Sequence, residues 1–482
     1  MEMNSITKSV GNGFLQIIYL ILPVIAGGLV AVSCTDYLDV QPYGRTIPKT
    51  AEEFSALVHG RLDDLDEGTS YLVMGTDRYE YDCGCGDNFE VCLTEKSGSM
   101  LAVSQSLSAV SISSTSMWNR LYEVIRDCNI VIDNLNEDGS QLANSTIAAA
   151  YAMRGVAYYE LMRNFCQPPC SGQFDSQPGL PLVTVFDMEA RPVRSSLQAT
   201  VNLIESDFKQ SIARHCQDPL YRFTEDVVKG YLARLYFWTE QWEQALPLCD
   251  ELLERHPLLD IDNFKAMMSE PYKLNGNKLI MTYRVNTSNS SFIYTSMMNS
   301  LQFRPVSTRF LNSFAQGEDT TDVRYTLAVN RKRRLQKPMF CGMRAAEMLL
   351  IKAEALCHLQ RYDEALSALN HLRSHRIKNC QPLTVHTLPP VPASEYIKVD
   401  CTGAPLTPLL ANILVERRKE LFMEGDRLWE LKRNGTPEFW TAYNGRKYTT
   451  LSYQYTRPIP EREIRINPGI VQNTGYVELR DN

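Results

Sequence analysis

The sequence predicts a mainly α-helical protein: a tetratricopeptide-like scaffold of about four helix pairs, with long irregular loop insertions and a few short strands. Two patterns predict this fold. A helix-pair motif recurs within the chain, and most other long segments place apolar residues at the spacing of an amphipathic helix. Composition agrees, because 44% of the 482 residues are apolar and 22% are charged, which is enough to bury a large core.

The strongest evidence for helix pairs is an internal repeat, in which the segment from Gly230 resembles the segment from Leu350. Each copy has a helix, a tight turn, an aromatic residue followed by an acid, and a second helix that opens with Ala-Leu. Such a helix pair cannot bury its apolar face alone and must stack on its neighbours. The matched residues are Ala233 with Ala353, Trp242 with Tyr362, Ala245 with Ala365, Leu246 with Leu366 and Leu252 with Leu372.

The rest of the chain also divides into predicted helices and the segments between them. Gly425 is expected to stop a closing helix, and Asp426 to cap the short helix that follows. Segments without a helical period, some with strand-like runs, separate the helices, and insertions of this length are usually functional or disordered. The predicted helix pairs lie near 50–136, 145–214, 224–255 and 345–377, the closing helix at 409–424, the C-terminal tail at 458–482, and the insertions at 71–116, 166–194, 257–335 and 386–408.

The N-terminal segment is expected to be an export signal. An uncharged run of twenty mostly apolar residues ends in small residues followed by Cys34. Such a run could also remain as an uncleaved membrane anchor or form a buried helix, but Pro23 and a Gly-Gly pair weigh against a permanent span. We therefore expect residues 1–33 to be a lipoprotein signal peptide, Cys34 to carry the lipid anchor, and residues 34–482 to form a single domain.

The thirteen cysteines are too few for a disulfide scaffold. Those in helical apolar patterns are expected to be buried, inert thiols. The loop cysteines could form disulfides, whereas no pair of CxxC motifs and no neighbouring histidine predicts a zinc site. The loop cysteines are Cys83, Cys85, Cys92, Cys166 and Cys170.

Charge and motifs exclude several classes of function. The chain has 49 basic and 56 acidic residues, a net charge of −7, and no long basic tract, which argues against nucleic-acid binding. It has no phosphate-binding glycine loop, no dinucleotide fingerprint, no nucleophile elbow and no HExxH. An enzyme is therefore the less favoured interpretation, and no catalytic residue, metal or cofactor is predicted.

Several motifs, in order, resemble the SusD/RagB family of outer-membrane nutrient-binding lipoproteins. Cys34 is followed by an aromatic-Leu-Asp-x-x-Pro segment, and Arg154-Gly-x-Ala-Tyr-Tyr159 with a trailing GLPLV matches the middle. Departures are Ala31, where the lipoprotein box usually has Leu, and the cysteine-rich patch at 83–92. The best matches are Glu416-Arg417-x-x-Glu420-Leu421-x-x-Glu424-Gly425-x-Arg427, Pro458-Ile-Pro460-x-x-Glu463-Ile and Asn467-Pro-x-x-x-Gln472-Asn473-x-Gly475-Tyr476.

The resemblance implies a lipid-anchored binding protein on the outer face of the outer membrane. Members of this family capture a nutrient and deliver it to a TonB-dependent, SusC-like transporter, on which they sit as a lid. Most bind an oligosaccharide or polysaccharide, and one branch binds peptides. The implied partners are therefore the transporter, a glycan or peptide, and the membrane through the lipid anchor alone.

The charge-rich C-terminal motif has two interpretations. Glu420 and Glu424 could form a catalytic carboxylate pair, or they could belong to an ion-pair network that pins the C-terminal loops. The network is favoured, because adjacent arginines would keep those acids ionised and occupied. A surface glycosidase or peptidase remains the less favoured function, since it would need a carboxylate pair about 5–9.5 Å apart in an open cleft or a nucleophile with its base.

Aromatic residues in two insertions are the candidate ligand contacts. Sugar rings present flat C–H faces that pack on aromatic rings, and their hydroxyls need polar partners. The stretch 71–89 lies between the helices of the first pair, where the family often places ligand contacts, and the stretch 283–304 is a second candidate. These aromatic rings could instead pack the loops against the helices and contact no ligand. The predicted ligand-binding residues are Tyr71, Asp77, Arg78, Tyr79, Tyr81, Asn88, Phe89 and Tyr294.

Overall fold

A computed structural model describes residues 48–67, 71–73, 85–90, 115–185, 187, 189–269, 280–283, 305–338, 341–443 and 446–476. The described residues from Thr50 onward belong to one compact unit. None of the helices in these ranges combines the length and apolar character that a membrane span requires. The predicted signal peptide and Cys34 lie outside the described residues.

The mainly helical fold is confirmed, and the main helices fall within the four predicted pairs. Their bounds are α1 (Ala51–Glu67), α2 (Thr115–Asn134), α3 (Gln141–Phe165), α4 (Leu197–Ile212), α5 (Glu225–Trp238), α6 (Trp242–Arg255), α7 (Ile261–Ser269), α8 (Thr308–Leu311), α9 (Glu318–Thr321), α10 (Val323–Ala328), α11 (Ala345–His358), α12 (Tyr362–Ser374), α13 (Pro408–Glu420), α14 (Arg427–Arg433) and α15 (Glu461–Ile466).

Short antiparallel strands pair within the connections between helices, as predicted. Strand β1 (Pro178–Pro181) pairs with β2 (Arg194–Ser196), and β3 (Ile280–Tyr283) pairs with β4 (Cys341–Met343). Strand β5 (Phe439–Tyr443) forms a hairpin with β6 (Arg446–Thr450), in a register that runs from Phe439 opposite Thr450 to Tyr443 opposite Arg446.

The internal repeat folds in the same way in both copies. Helices α5 and α6 are joined by a tight turn through Glu240 (φ 61°), and α11 and α12 by an equivalent turn through Gln360 (φ 59°). In each turn a backbone N–H reaches back five residues, from Gln241 to the Tyr236 carbonyl and from Arg361 to the Leu356 carbonyl, both at 2.8 Å. Both turns therefore use the left-handed conformation that ends many helices, although neither has a glycine there.

The helices stack in chain order around one large apolar core. Helix α2 packs along α3, α3 along α4, and α4 against α5, while α6 packs on both α5 and α11. The repeat alanines Ala233, Ala245, Ala353 and Ala365 are buried at the crossings, as the sequence predicts. The closing helix α13 lies against α11 and α12, so the two repeats and the C-terminal region share one core.

The structure corrects three local predictions. The closing helix ends at Glu420, because residues 421–425 form turns, and the predicted end at 424 is wrong. The Asp426 side chain makes no helix-capping hydrogen bond and instead accepts two from Arg417, at 2.6 and 2.8 Å. In the first predicted pair, α1 contacts α2, but both pack more extensively on α3.

The prediction of loop disulfides is wrong for Cys166 and Cys170, which are free thiols, the first buried and the second exposed. Cys85 is buried. Cys83 and Cys92 lie outside the described residues. Cys128, Cys249 and Cys357 are buried free thiols on helices, as the apolar patterns predict.

Candidate ligand-binding region

The ends of the two candidate stretches lie side by side. Residues 85–90 include the end of the first stretch and pair with residues 305–308, which follow the second. The Glu90 N–H donates to the Pro305 carbonyl at 2.9 Å, and the Ser307 N–H donates to the Asn88 carbonyl at 2.8 Å. Phe89 and Val306 form an antiparallel bridge between these bonds. Two segments more than 200 residues apart in sequence therefore meet at one place, which we call the loop junction (85–90 and 305–308).

The Glu90 side chain ties the two halves of the loop junction together. One carboxylate oxygen accepts from the Thr308 N–H at 2.9 Å, the Thr308 hydroxyl at 3.0 Å and Arg333 Nη1 at 2.8 Å. Partial burial alone would raise the pKa of the Glu90 carboxyl, but these donors outweigh it and lower the pKa below its usual value. Glu90 is therefore ionised, and it links the two halves of the loop junction.

Two arginines of the C-terminal motif hold the loop junction on the scaffold. Arg427 on α14 donates to both carboxylate oxygens of Asp87, at 2.7 and 3.0 Å. Arg418 on α13 donates to the Asp87 carbonyl and the Asn88 side-chain oxygen, both at 3.1 Å. Burial alone would raise the pKa of Asp87, but Arg418 and Arg427 outweigh burial and hold it well below its usual value. Glu395 bridges the same two arginines.

An aromatic stack lies next to the loop junction. The Arg309 guanidinium sits 3.8 Å from the centre of the Tyr396 ring, and the Phe439 ring stacks on Tyr396 at 4.5 Å and 10°. Trp440 follows Phe439 in the hairpin and is 40% exposed, with the Lys447 ammonium 5.0 Å from its ring. Arg309, Tyr396 and Trp440 were not among the ligand contacts predicted from the sequence. The adjacent aromatic residues Phe439 and Trp440 were the available signal, but the stacking of Phe439 on Tyr396 is purely tertiary.

The predicted ligand residues fall into three groups. Asn88 and Phe89 are buried in the loop junction, where Phe89 packs 6.4 Å from the Phe422 ring, so their contacts are with the protein itself. Tyr71 is half-buried and packs against the main core. The others lie outside the described residues: Asp77, Arg78, Tyr79, Tyr81 and Tyr294.

The ion-pair interpretation of the C-terminal motif is confirmed. Glu420 is fully buried and accepts hydrogen bonds from Arg344 at 2.9 Å and from Arg376 at 3.0 Å. Glu424 accepts from Lys337 at 2.5 Å and from Arg344 at 2.9 Å. Burial would raise the pKa of Glu420, but the surrounding arginines outweigh it and keep this acid ionised. Both carboxylates are occupied by cations, which is incompatible with proton transfer to a substrate.

Two cavities in the described part of the chain have different capacities. One, lined by Glu347, Glu424, Asp426 and Glu430, has a volume of about 40 Å³, room for a few waters but not for a sugar. The other is an open groove of about 440 Å³ between α2, residues 181–192 and α15. Its Trp118 is buried and the Tyr122 hydroxyl donates to the Pro181 carbonyl at 2.8 Å, so both rings pack the scaffold.

The described helices form a stack of pairs on which residues 85–90 and 305–308 are held at one junction. Two family models match the sequence: one described as SusD family over residues 262–476, and one described as starch-binding and associating with the outer membrane over residues 36–237. Together the two matches show that the chain is a SusD-like protein. The matches leave only short segments uncovered, as the resemblance in the sequence motifs implies.

Relatives of this chain agree with that assignment. SusD-like protein P38 of Formosa agariphila is 23% identical, and the alignment covers 92% of this chain and 96% of that protein. A SusD superfamily protein from Bacteroides thetaiotaomicron has a TM-score of 0.67 at 20% identity, covering 88% of this chain and 99% of its own. A SusD-like carbohydrate binding protein from Bacteroides vulgatus has a TM-score of 0.62 at 20% identity, covering 88% and 98%.

Proposed function

We propose that the protein binds an oligosaccharide or polysaccharide at the loop junction and the two insertions that leave from it. The observation that carries this proposal is the pairing of residues 85–90 with 305–308, which brings both tyrosine-containing stretches to one place. Arg418 and Arg427 hold the loop junction on the scaffold. This part of the site is therefore in place before a ligand binds, and binding does not have to order it.

The chemistry of the region supports a glycan. An exposed indole at Trp440 offers a flat face for sugar C–H groups, and the Lys447 ammonium, 5.0 Å from its ring, can donate to hydroxyls. The matching family description names starch binding, and a structural neighbour is a carbohydrate binding protein. SusD-family proteins are binding proteins, and we assign no catalytic residue here.

The protein delivers its ligand, in this proposal, to a TonB-dependent SusC-like transporter in the outer membrane. Support comes from the family description, which names association with the outer membrane. Lipid on Cys34 anchors the mature chain to the cell surface after removal of residues 1–33. Replacing Cys34 with Ala is expected to abolish incorporation of a labelled fatty acid and to release the protein from outer-membrane fractions. A labelled C34A protein would refute the anchor assignment.

Binding is tested with a glycan array followed by calorimetry on the best oligosaccharide. Tyr79→Ala, Tyr81→Ala and Trp440→Ala are each expected to weaken binding by at least about fivefold, the effect of losing one aromatic contact of about 1 kcal/mol. The matched control is Tyr362→Ala, because Tyr362 is an exposed tyrosine on the repeat scaffold, away from the loop junction. Equal affinity in all four variants would place the ligand elsewhere.

The alternative functions are outcomes of the same experiment. Binding to peptides with a blank glycan array would assign the protein to the peptide-binding branch of the family. Release of shortened sugars or peptides during incubation would indicate a surface hydrolase. If both arrays stay blank while the purified transporter still binds the protein, direct ligand capture is wrong and only the docking role remains.

A further inference from the structure

Three side chains with metal-ligating atoms meet at the end of the second repeat, away from the loop junction. Glu354 and His358 lie one turn apart on α11, and Cys401 reaches them from the connection before α13. The three ligating atoms all lie within 4.8 Å of one another. The sequence predicted no metal site, because Cys401 is 43 residues from His358 and belongs to no cysteine motif.

The distances between these atoms approach those of a tetrahedral zinc site. With Zn–S near 2.3 Å and Zn–N near 2.0–2.1 Å, ligand atoms in such a site are about 3.3–3.6 Å apart. Here Cys401 Sγ lies 3.7 Å from His358 Nε2, and His358 Nε2 lies 3.9 Å from Glu354 Oε1. These separations are too long for strong hydrogen bonds, so a contraction of a few tenths of an ångström would bring the atoms to ligand spacing.

An unsatisfied carboxylate oxygen points to a missing partner. Glu354 is 1% exposed, and its Oε2 atom has no hydrogen-bond partner among the described residues. Arg433 Nη1 donates to the other oxygen, Oε1, at 2.5 Å, and Arg433 Nη2 contacts Cys401 Sγ at 3.4 Å. A buried carboxylate oxygen without a partner is costly, and a cation bound there would remove that cost.

The charge around the cluster favours a divalent cation despite Arg433. Glu240 and Asp400 act electrostatically on the same groups as Glu354, so three carboxylates face the two guanidinium groups of Arg433 and Arg417 even before the thiol ionises. The Trp242 ring stacks on His358 at 4.3 Å and 8°, which fixes the imidazole plane. Held in this way, Nε2 lies 3.7 Å from the Cys401 sulfur and 3.9 Å from the Glu354 carboxylate.

We propose that Glu354, His358 and Cys401 bind a borderline-soft divalent cation, Zn²⁺, with a water as fourth ligand. The thiolate, imidazole and carboxylate set suits this ion. The bound ion links α11 to the 395–407 connection and so stabilises the contact between the second repeat and the C-terminal region. Binding displaces the Cys401 thiol proton into solvent, so affinity is expected to rise with pH.

The test uses the purified protein, reduced with a phosphine, stripped with a chelator and titrated with Co²⁺ as a spectroscopic probe for Zn²⁺. The wild-type protein is expected to bind one equivalent with a thiolate-to-cobalt charge-transfer band that Zn²⁺ bleaches. Cys401→Ser should abolish the band, and His358→Gln should weaken zinc binding by more than about tenfold, the loss that even an outer-shell change can cause. Cys170→Ser, at an exposed cysteine on another loop, is the matched control.

Wild-type protein without a charge-transfer band, or a band that persists in C401S, would overturn the proposal. Circular dichroism of each variant separates loss of the site from loss of folding. If C401S does not fold, H358Q decides the outcome through the same titration and through the rise in melting temperature that saturating Zn²⁺ should give only to proteins with an intact site. Identical zinc stabilisation of wild type and H358Q would also refute the site.

Discussion

The repeat helices and the closing helix α13 are both buried, but by opposite chemistry. In α5 and α11 the buried positions are mostly alanine, leucine and aromatic residues that pack in the order of the chain. In the last turns of α13 the buried positions include Glu416, Arg418 and Glu420, whose partners come from α10, α12, and the loop junction. Apolar burial tolerates local adjustment, whereas a buried charge depends on each of its partners. The stack therefore provides bulk stability, and α13 fixes where distant segments meet.

The largest expected effect comes from breaking the buried ion-pair network of α13. Glu420→Gln leaves Arg344 and Arg376 buried without their shared counter-charge, which should lower the free energy of unfolding by about 3–5 kcal/mol. Urea denaturation measures the change. The control is Glu364→Gln, because the Arg361–Glu364 pair is exposed and should contribute less than about 1 kcal/mol. Equal losses in the two variants would mean that burial of the network adds nothing.

A second experiment compares the two repeats. Trp242 is 8% exposed because the next helix pair covers it, whereas its counterpart Tyr362 is 46% exposed at the end of the stack. Trp242→Ala should destabilise the protein by about 3 kcal/mol, and Tyr362→Ala by less than about 1 kcal/mol. Thermal unfolding of both variants checks the difference, and a similar cost at both positions would show that stacking order does not decide it.

A third pair of variants tests close packing within the stack. A Cβ at Gly155 on α3 would lie 2.6 Å from the Phe208 ring, so Gly155→Ala should cost about 1–3 kcal/mol. At Gly60 on α1 a Cβ would meet nothing within 4 Å, and Gly60→Ala should stabilise the protein by about 0.5–1 kcal/mol. The opposite signs are measurable by urea denaturation. A stabilised G155A protein would contradict the described approach of α3 to α4.

The last experiment measures a slope of stability with pH, at a buried cation held by carbonyl groups. Lys432 donates to the Arg163 and Cys166 carbonyls, at 2.5 and 2.9 Å, and burial lowers its pKa to about 7. Between about pH 7 and 10.5 the unfolded chain therefore binds more protons at this lysine than the folded chain. Its contribution to stability should rise with pH across that window, by at most about 1.4 kcal/mol per pH unit. Lys432→Met should flatten this rise, and an unchanged pH profile would refute it.

The sequence alone determined the helix pairs. Apolar periodicity and the repeated Ala, aromatic and Leu positions specify which faces must be buried, and a helix pair has few ways to bury them. The same residues predicted the family, and the mixed charges of the C-terminal motif predicted ion pairs. The helix pairs depend on neighbours within one or two helical turns, so a single chain reveals them, whereas the partners of the buried charges come from distant segments.

Only the tertiary structure decided where distant segments meet. Nothing local to residues 85–90 indicates that they pair with residues 305–308, or that Asn88 and Phe89 face inward. The end of the closing helix, the unpaired Cys166 and Cys170, and the approach of Cys401 to His358 were equally hidden. The physical reason is common to all of them: a side chain's partner across the fold is set by the packing of whole helices, which no short segment of sequence records.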